Sequence, residues 1–268
     1  MNVKHLILLV MITGIMAGCK KETTTKPKPT DTTKTEVKVK DTIYLVSKVT
    51  TNYLLTPSPL TITDRFTYND SRQLIRHSVQ YKNNTSDYVT NYNLVYTDGK
   101  VTEVTRTGGK VYNWNKIQYT YVGSEIKVLL KYADSDQNVT ITLDADGNPK
   151  KLEGNGQFYL FKYDVAGNIK NRSQYDSANP AHANMTIDYT YDKKHSPFLA
   201  LRNNTYAMYN IFGDINTFMN NRVTNNVLEV YAQEYNKAGY PTKTTVVHSS
   251  VAVRVLNYVY TKVIVDKP

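Results

Sequence analysis

The chain has 268 residues, of which 33 are Lys or Arg and 23 are Asp or Glu, so its formal net charge is +10. This length is enough to bury a substantial core in one domain, and the single cysteine excludes a disulfide within the chain. The lysines are spread along the sequence and form no basic helix, which favours solvated faces over a dedicated anionic site. We therefore expect no nucleic-acid partner.

The N-terminal segment has the pattern of a targeting signal. Lys4 gives it a positive start and residues 6–12 are continuously apolar. The whole apolar stretch is about a dozen residues, whereas a membrane-spanning helix needs roughly 20. Residues 1–18 are therefore predicted to be a cleaved signal peptide. The ending Ala17-Gly18-Cys19 resembles the bacterial lipobox, although Met16 stands where leucine is usual.

This resemblance implies that Cys19 begins the mature chain and carries lipid, which would anchor the protein at the outer membrane, on its periplasmic or its surface face. The alternative is an ordinary secreted protein with a chance cysteine. Residues 19–40 are then a tether rich in Lys, Thr and Pro, which is predicted to be disordered. Residues 41–268 are predicted to be a single folded domain.

Alternation of apolar and polar residues with period two dominates the chain from Asp41 onward. Ile117, Tyr119 and Tyr121, for example, share one face, which is typical of a half-buried antiparallel strand. Between such segments lie pairs like Asp98-Gly99, which tolerate the positive φ that short hairpin turns require. The same alternation recurs near the end of the chain at Val251, Val253 and Val255.

The predicted hairpins also form an internal repeat. Each unit consists of an aromatic residue, any residue, Tyr, and Asn or Asp, followed by a short Gly-polar-aliphatic turn, as in Phe161-Lys162-Tyr163-Asp164. Tyrosine is predicted to close the inner face, and the Asn or Asp side chain to start the turn. The central positions lie 20 to 28 residues apart, which fits one hairpin per unit; they are 68, 96, 121, 143, 163 and 191.

The predicted fold class is therefore all-β: an antiparallel meander of seven or eight hairpins. Strand twist prevents a sheet of about fifteen strands from remaining flat, so we expect it to curl into a barrel or half-barrel. The alternation is lost near residues 197–220, which predicts one helical or loop insertion that plugs or caps the sheet. We expect the domain to be a monomer.

Two resemblances accompany this pattern. The units resemble the Tyr-Asp repeats of bacterial wall-associated and toxin-shell proteins. More specifically, residues 191–198 and 235–243, YDKKHSPF and YNKAGYPTK, resemble an uncharacterised family of Bacteroidetes lipoproteins, over about residues 42–262. His195 stands where that family usually has asparagine. The resemblance implies a porin-like, curled antiparallel fold and an envelope location; it implies no activity and no site residues.

Catalytic and metal-binding patterns are weak. The histidines lack ligand spacing with another His, Cys or Glu, so we expect them on the surface or in turns; in the mature chain they are His77, His182, His195 and His248. Asp134-x-Asp136 resembles the start of a calcium loop without its turn glycine, and Asp144-x-Asp146-Gly147 is explained as a hairpin turn. We therefore predict no metal, no cofactor and no enzymatic activity.

The aromatic stripe is the best remaining candidate for a ligand site. Exposed rings on neighbouring strands could stack on sugars, and the lone tryptophan is the most plausible platform; the alternative is that these rings form the core and its rim. The residues are Tyr112, Trp114, Tyr119 and Tyr121.

These observations leave several functions open. The first hypothesis is a non-enzymatic envelope lipoprotein with a structural or interaction role, whose partner is another envelope protein. The second is a glycan-binding surface lipoprotein that contacts polysaccharide, and the third is a polysaccharide hydrolase with two converging carboxylates. An outer-membrane pore is the least favoured, because its strands should carry an outward apolar band between aromatic girdles.

Overall fold

The computed structural model describes residues 40–56, 58–109, 114–204, 220–225 and 229–266. Sixteen strands and one short 3₁₀ helix, Leu199–Asn204, lie within these residues. The strands are β1 (Lys40–Tyr53), β2 (Leu60–Tyr68), β3 (Leu74–Lys82), β4 (Asp87–Thr97), β5 (Lys100–Gly108), β6 (Lys116–Val122), β7 (Glu125–Lys131), β8 (Asp136–Leu143), β9 (Pro149–Gly154), β10 (Gln157–Tyr163), β11 (Ile169–Asp176), β12 (Asn179–His195), β13 (Asn220–Asn225), β14 (Glu229–Tyr235), β15 (Pro241–His248) and β16 (Val251–Asp266).

The strands form one closed antiparallel barrel in which each strand pairs with its sequence neighbours. β16 closes the barrel by pairing with β1, where Val49 lies opposite Tyr258. The all-β meander is thus confirmed, with eight hairpins, and of the two predicted forms the full barrel is the one observed. Closure satisfies the backbone groups that an open sheet would leave unpaired on its two outer strands.

Side chains alternate between an apolar interior and a polar outer surface. The interior is one continuous cluster that includes Val104, Ile117 and Ile126, all at 0% exposure. The intervening positions carry charge, as where the outward ammonium group of Lys116 lies 2.7 Å from the carboxylate of Glu103 on the adjacent strand. This polarity is the reverse of a membrane-spanning barrel, whose apolar residues face outward to lipid.

Tyrosine hydroxyls join neighbouring strands at one end of the barrel, and we call them latch tyrosines. Tyr96 donates a hydrogen bond of 2.8 Å to the carbonyl oxygen of Leu74, which ties the end of β4 to the start of β3. The hairpin turn of β3 and β4 lies at their other end, so the pair is closed at both ends. The same bond occurs in Tyr68–Val46, Tyr121–Val101, Tyr163–Pro149, Tyr191–Ile169 and Tyr260–Pro241.

Where Asp follows a latch tyrosine, as at Asp164 and Asp192, its side chain holds the repeat turn, as the sequence predicts. Asp164 Oδ1 accepts hydrogen bonds of 2.9 Å from the backbone N–H groups of Ala166 and Asn168. Asp192 Oδ1 likewise accepts a bond of 3.3 Å from the N–H of Asn221, which is 29 residues further along the chain. Asn221 therefore corresponds to Asn168, and the insertion interrupts one repeat turn while the bonds to the Asp side chain remain.

The described part of this insertion covers the apolar interior. Leu201 is 3% exposed and belongs to the core cluster, and the ring centroids of Phe198 and Phe66 lie 5.8 Å apart. The predicted cap is thus observed for residues 197–204, whereas residues 205–219 lie outside the described residues. In the described part of the chain, no helix has the length and hydropathy needed to cross a membrane.

Candidate ligand-binding site

Charged side chains occupy several inward-facing positions of the barrel. Two carboxylates are among them: Asp64 on β2 pairs with the buried Val79, and Glu229 on β14 is half-buried, two residues before the buried Tyr231. Burial of a charge is costly unless the group is paired and hydrogen-bonded, so each of these residues must have a compensating environment. Four arginines also have buried Nε atoms; they are Arg106, Arg172, Arg222 and Arg254.

Asp64 is paired with a fully enclosed histidine. His77 is 1% exposed, and its Nε2 lies 2.8 Å from Asp64 Oδ1. The imidazole is stacked between the rings of Phe66 and Tyr92, at centroid distances of 4.9 and 5.5 Å. Such an enclosed ring is a structural element, because a substrate cannot reach it. The expectation that every histidine lies on the surface is wrong for His77, since its position on β3 points inward; it holds for His182, His195 and His248.

Polar and apolar side chains of the interior together surround a cavity of about 110 Å³ between β13–β16 and residues 196–198. Cationic, phenolic and aliphatic side chains contribute to its wall. A concave site with apolar walls and a few convergent polar groups is the usual form of a ligand pocket. We call it the arginine cavity; its main lining residues are Arg222, Arg254, Tyr231, Tyr258, Val246 and Leu256.

Glu229 is a half-buried carboxylate that contacts Tyr231 and Arg254, two residues of the cavity wall. One of its oxygens, Oε2, accepts hydrogen bonds from the Tyr231 hydroxyl and, at 3.1 Å, from Asn225 Nδ2. The other, Oε1, lies 3.7 Å from Arg254 Nη2. Burial by itself would raise the pKa of Glu229, but these hydrogen bonds and the charges of Arg254 and Arg222 outweigh it and lower the pKa. Glu229 is therefore ionised at neutral pH, which does not suit a general acid.

Two arginines give the arginine cavity a positive potential. The guanidinium carbon of Arg222 lies 4.3 Å from the ring centroid of Tyr231 and 5.6 Å from that of Tyr189. Burial raises the pKa of Tyr258, while Thr244, Arg222 and Arg254 oppose this increase. Both arginines also lower the pKa of Glu229, so the two positive charges influence the same side chains.

Sequence reasoning did not single out the residues of this cavity. The valines near the end of the chain share a face, as predicted, but Val251 is 50% exposed and Val255 pairs with Thr245 on the outer surface. Arg254 and Leu256 take the inward positions instead. The sequence does contain a signal for this orientation. Arg254 and Leu256 lie at alternate positions with Tyr258 and Tyr260, and both tyrosines pack against the core.

The predicted aromatic stripe lies mainly in the interior. Trp114 is 8% exposed and Tyr119 is 4% exposed, and both belong to the core cluster. Tyr121 is half-buried, and its hydroxyl donates a hydrogen bond of 2.6 Å to the carbonyl oxygen of Val101. This placement leaves Trp114 and Tyr119 without an open ring face for a sugar. Tyr112 and Cys19 lie outside the described residues.

An aromatic pair that the sequence analysis did not select lies on the outer surface. Phe158 on β10 and Tyr175 on β11 are stacked at a centroid distance of 4.8 Å and an interplanar angle of 3°. The ammonium group of Lys151 lies 4.7 Å from the Phe158 centroid, on β9. On the other side, the partner of Tyr175 on β12 is Ala183, whose methyl group is too small to cover an aromatic ring.

Comparison with known proteins gives structural likeness only. No protein family and no curated protein match the chain. Among solved structures, a porin-like protein from Bacteroides uniformis is 12% identical with a TM-score of 0.43, and covers 81% of this chain and 98% of its own. A porin-like protein from Bacteroides vulgatus is 12% identical with a TM-score of 0.40, and covers 82% and 99%. The resemblances to lipoproteins and to Tyr-Asp repeats therefore stay predictions.

Proposed function

We propose that this protein is a non-enzymatic, lipid-anchored barrel of the bacterial outer membrane with a structural or interaction role. The observation that carries the proposal is the polarity of the barrel, whose interior is packed mainly with apolar side chains and whose outer surface carries charged pairs. A filled interior does not form a wide aqueous channel. A membrane location would then depend on the lipid predicted at Cys19.

The outer surface argues against lipid contact by the strands themselves. Lys127 lies in the middle of β7, and its ammonium group is 2.7 Å from the carboxylate of Glu125 on the same strand. A lysine facing lipid at the bilayer midplane costs about 2–4 kcal/mol. The Glu234–Lys243 pair, at 2.8 Å, places charge on the opposite part of the sheet. Charge around the barrel thus favours a water-exposed domain held by an anchor.

The inward carboxylates support a non-enzymatic role. A glycoside hydrolase needs one carboxyl with a raised pKa as the acid and a second as base or nucleophile. Asp64 is bonded to an enclosed histidine, and Glu229 has a lowered pKa. The lowered pKa of Glu229 does not suit a general acid, and a substrate cannot reach the histidine that is bonded to Asp64.

The anchor is tested by the Cys19→Ala variant. We expect it to leave the membrane fraction, whereas Met16→Leu, which restores the usual lipobox residue, should remain there. Fractionation followed by a high-salt wash and immunoblotting measures both. Retention of Cys19→Ala in the washed membranes would contradict the lipid anchor.

A second candidate function is glycan binding at the outer aromatic pair. One face of the Tyr175 ring stacks on Phe158, which Lys151 also contacts. The opposite face of Tyr175 is bordered by the small residue Ala183. Aromatic faces held in this way can stack on sugar rings. Affinity electrophoresis against a panel of polysaccharides tests this proposal. We expect a polysaccharide to retard the wild type and the control Leu160→Ala, an outward neighbour on β10, but not Tyr175→Ala. Equal retardation of the wild type and Tyr175→Ala would exclude this site.

A further inference from the structure

We propose that the arginine cavity binds a small carboxylate with a short hydrocarbon chain. The carboxylate would lie against Arg254, and the chain would lie against Val246 and Leu256, which are part of the same wall. This site is inside the barrel and is separate from both the lipid anchor and the outer aromatic pair. It therefore does not rest on either proposal above.

The hydrogen bonding of Arg254 points to an additional acceptor. Its closest carboxylate oxygen, on Glu229, lies 3.7 Å from Nη2, which is within ion-pair range but beyond a normal hydrogen bond. The buried Nε of Arg254 has no hydrogen-bond acceptor among the described residues. A guanidinium has five N–H donors, and buried donors normally have partners. A carboxylate is the acceptor that matches a guanidinium best, because it can take two parallel hydrogen bonds.

The charge balance also favours an anion. Arg222 and Arg254 both line the cavity, and both lower the pKa of Glu229. Among the described residues that line the cavity, the charged side chains are these two arginines, so the wall attracts a carboxylate and repels an amine. The proposal does not require Arg222 to be free of other contacts, since its charge contributes to the potential in either case.

The dimensions of the cavity limit the ligand. Its volume is about 110 Å³. An engineered apolar cavity of about 150 Å³ holds benzene, so this one accommodates about four or five non-hydrogen atoms. A whole sugar ring is too large, whereas a carboxylate with two or three carbon atoms fits. Because Val246 is fully buried and Leu256 packs against the core, the wall next to the chain is apolar.

The test compares isosteric ligands on the full-length protein. Propionate is the probe, and propionamide and n-propylammonium are its neutral and cationic counterparts. Calorimetric titration should give a dissociation constant for propionate at least about tenfold lower than for propionamide. At ten times that constant, propionate should raise the melting temperature by about 3–6 °C. Equal binding of propionate and propionamide, or no binding of propionate, would overturn the proposal.

Two variants locate the bound carboxylate. Arg254→Gln should weaken propionate binding by about tenfold or more and leave propionamide binding unchanged. Arg172→Gln is the matched control, because its Nε is also buried but it does not line the cavity. It should bind propionate like the wild type. Should Arg254→Gln not fold, as judged by circular dichroism, Arg254→Lys keeps the charge and loses the two-point geometry, and it should bind propionate more weakly. Loss of binding in Arg172→Gln alone would place the ligand elsewhere.

Discussion

The hydroxyl of Tyr163 donates a hydrogen bond of 2.7 Å to the carbonyl oxygen of Pro149. Tyr163 is the last residue of β10 and Pro149 is the first residue of β9, so the bond closes the end of this strand pair opposite its turn. Among the described residues, such a latch is present in six of the eight strand pairs. The latch thus explains why the repeat places tyrosine, and not phenylalanine, immediately before the turn.

Removal of one latch should destabilise the barrel measurably. Tyr163→Phe keeps the ring and deletes the donor, so the free energy of unfolding should fall by about 0.5–1.5 kcal/mol. Urea denaturation followed by circular dichroism measures the change. Tyr175→Phe, on the outer surface, is the control and should change by less than about 0.5 kcal/mol. A similar loss in both variants would show that the latch contributes nothing specific.

Addition of a latch should stabilise the β7–β8 pair. Leu143 occupies the repeat position that is tyrosine elsewhere, and the equivalent acceptor is the carbonyl oxygen of Ile126. Leu143→Tyr should therefore be more stable than Leu143→Phe by about 0.5–1.5 kcal/mol, since the two variants differ only in the hydroxyl. Chemical denaturation of both variants gives this difference directly. Equal stability would mean that the hydroxyl does not reach its acceptor.

The capping segment should contribute to core stability. Leu201 is 3% exposed and belongs to the core cluster, so Leu201→Ala should cost about 2–4 kcal/mol through lost burial and the cavity it leaves. The fully exposed Val165, in a repeat turn, gives the control Val165→Ala, which should be within about 0.5 kcal/mol of wild type. Thermal denaturation distinguishes the two. A wild-type melting temperature in Leu201→Ala would show that the cap is not part of the cooperative core.

Glu229 should make stability depend on pH. Burial opposes its ionisation, but hydrogen bonds from Tyr231 and Asn225 and two arginine charges lower its pKa below the ordinary value of 4.5. A group whose folded pKa is depressed stabilises the fold fully above its unfolded pKa and loses that contribution as pH falls through the folded pKa. Between about pH 5 and pH 3, the wild type should therefore lose more stability than Glu229→Gln.

Denaturation midpoints measured across this pH range test the effect of Glu229. Glu234→Gln, an exposed residue on the same strand, is the control and should follow the wild-type curve. Parallel curves for the wild type and Glu229→Gln would contradict the expected linkage.

Much of the fold follows from local sequence. Period-two alternation predicts strands such as β6, where Ile117 and Tyr119 are buried and Thr120 is exposed. Asp164 holds its turn through bonds to residues two and four positions later, which is chemistry that a short segment contains by itself. The repeat therefore predicts the hairpins and nearly their number. The break in alternation likewise predicts the insertion, because a lost pattern is visible without a structure.

The tertiary structure alone decided what depends on distant residues. Alternation divides β16 into two faces, but only its pairing with β1 and β15 decides that Arg254 faces inward and Val255 outward. Likewise, the pairing of β2 with β3 brings Asp64 to His77, and neither residue has a local pattern that predicts the other. Barrel closure and the arginine cavity have the same origin. Strands and turns are short-range properties of the chain, whereas closure, register and charge pairing form only when all sixteen strands assemble.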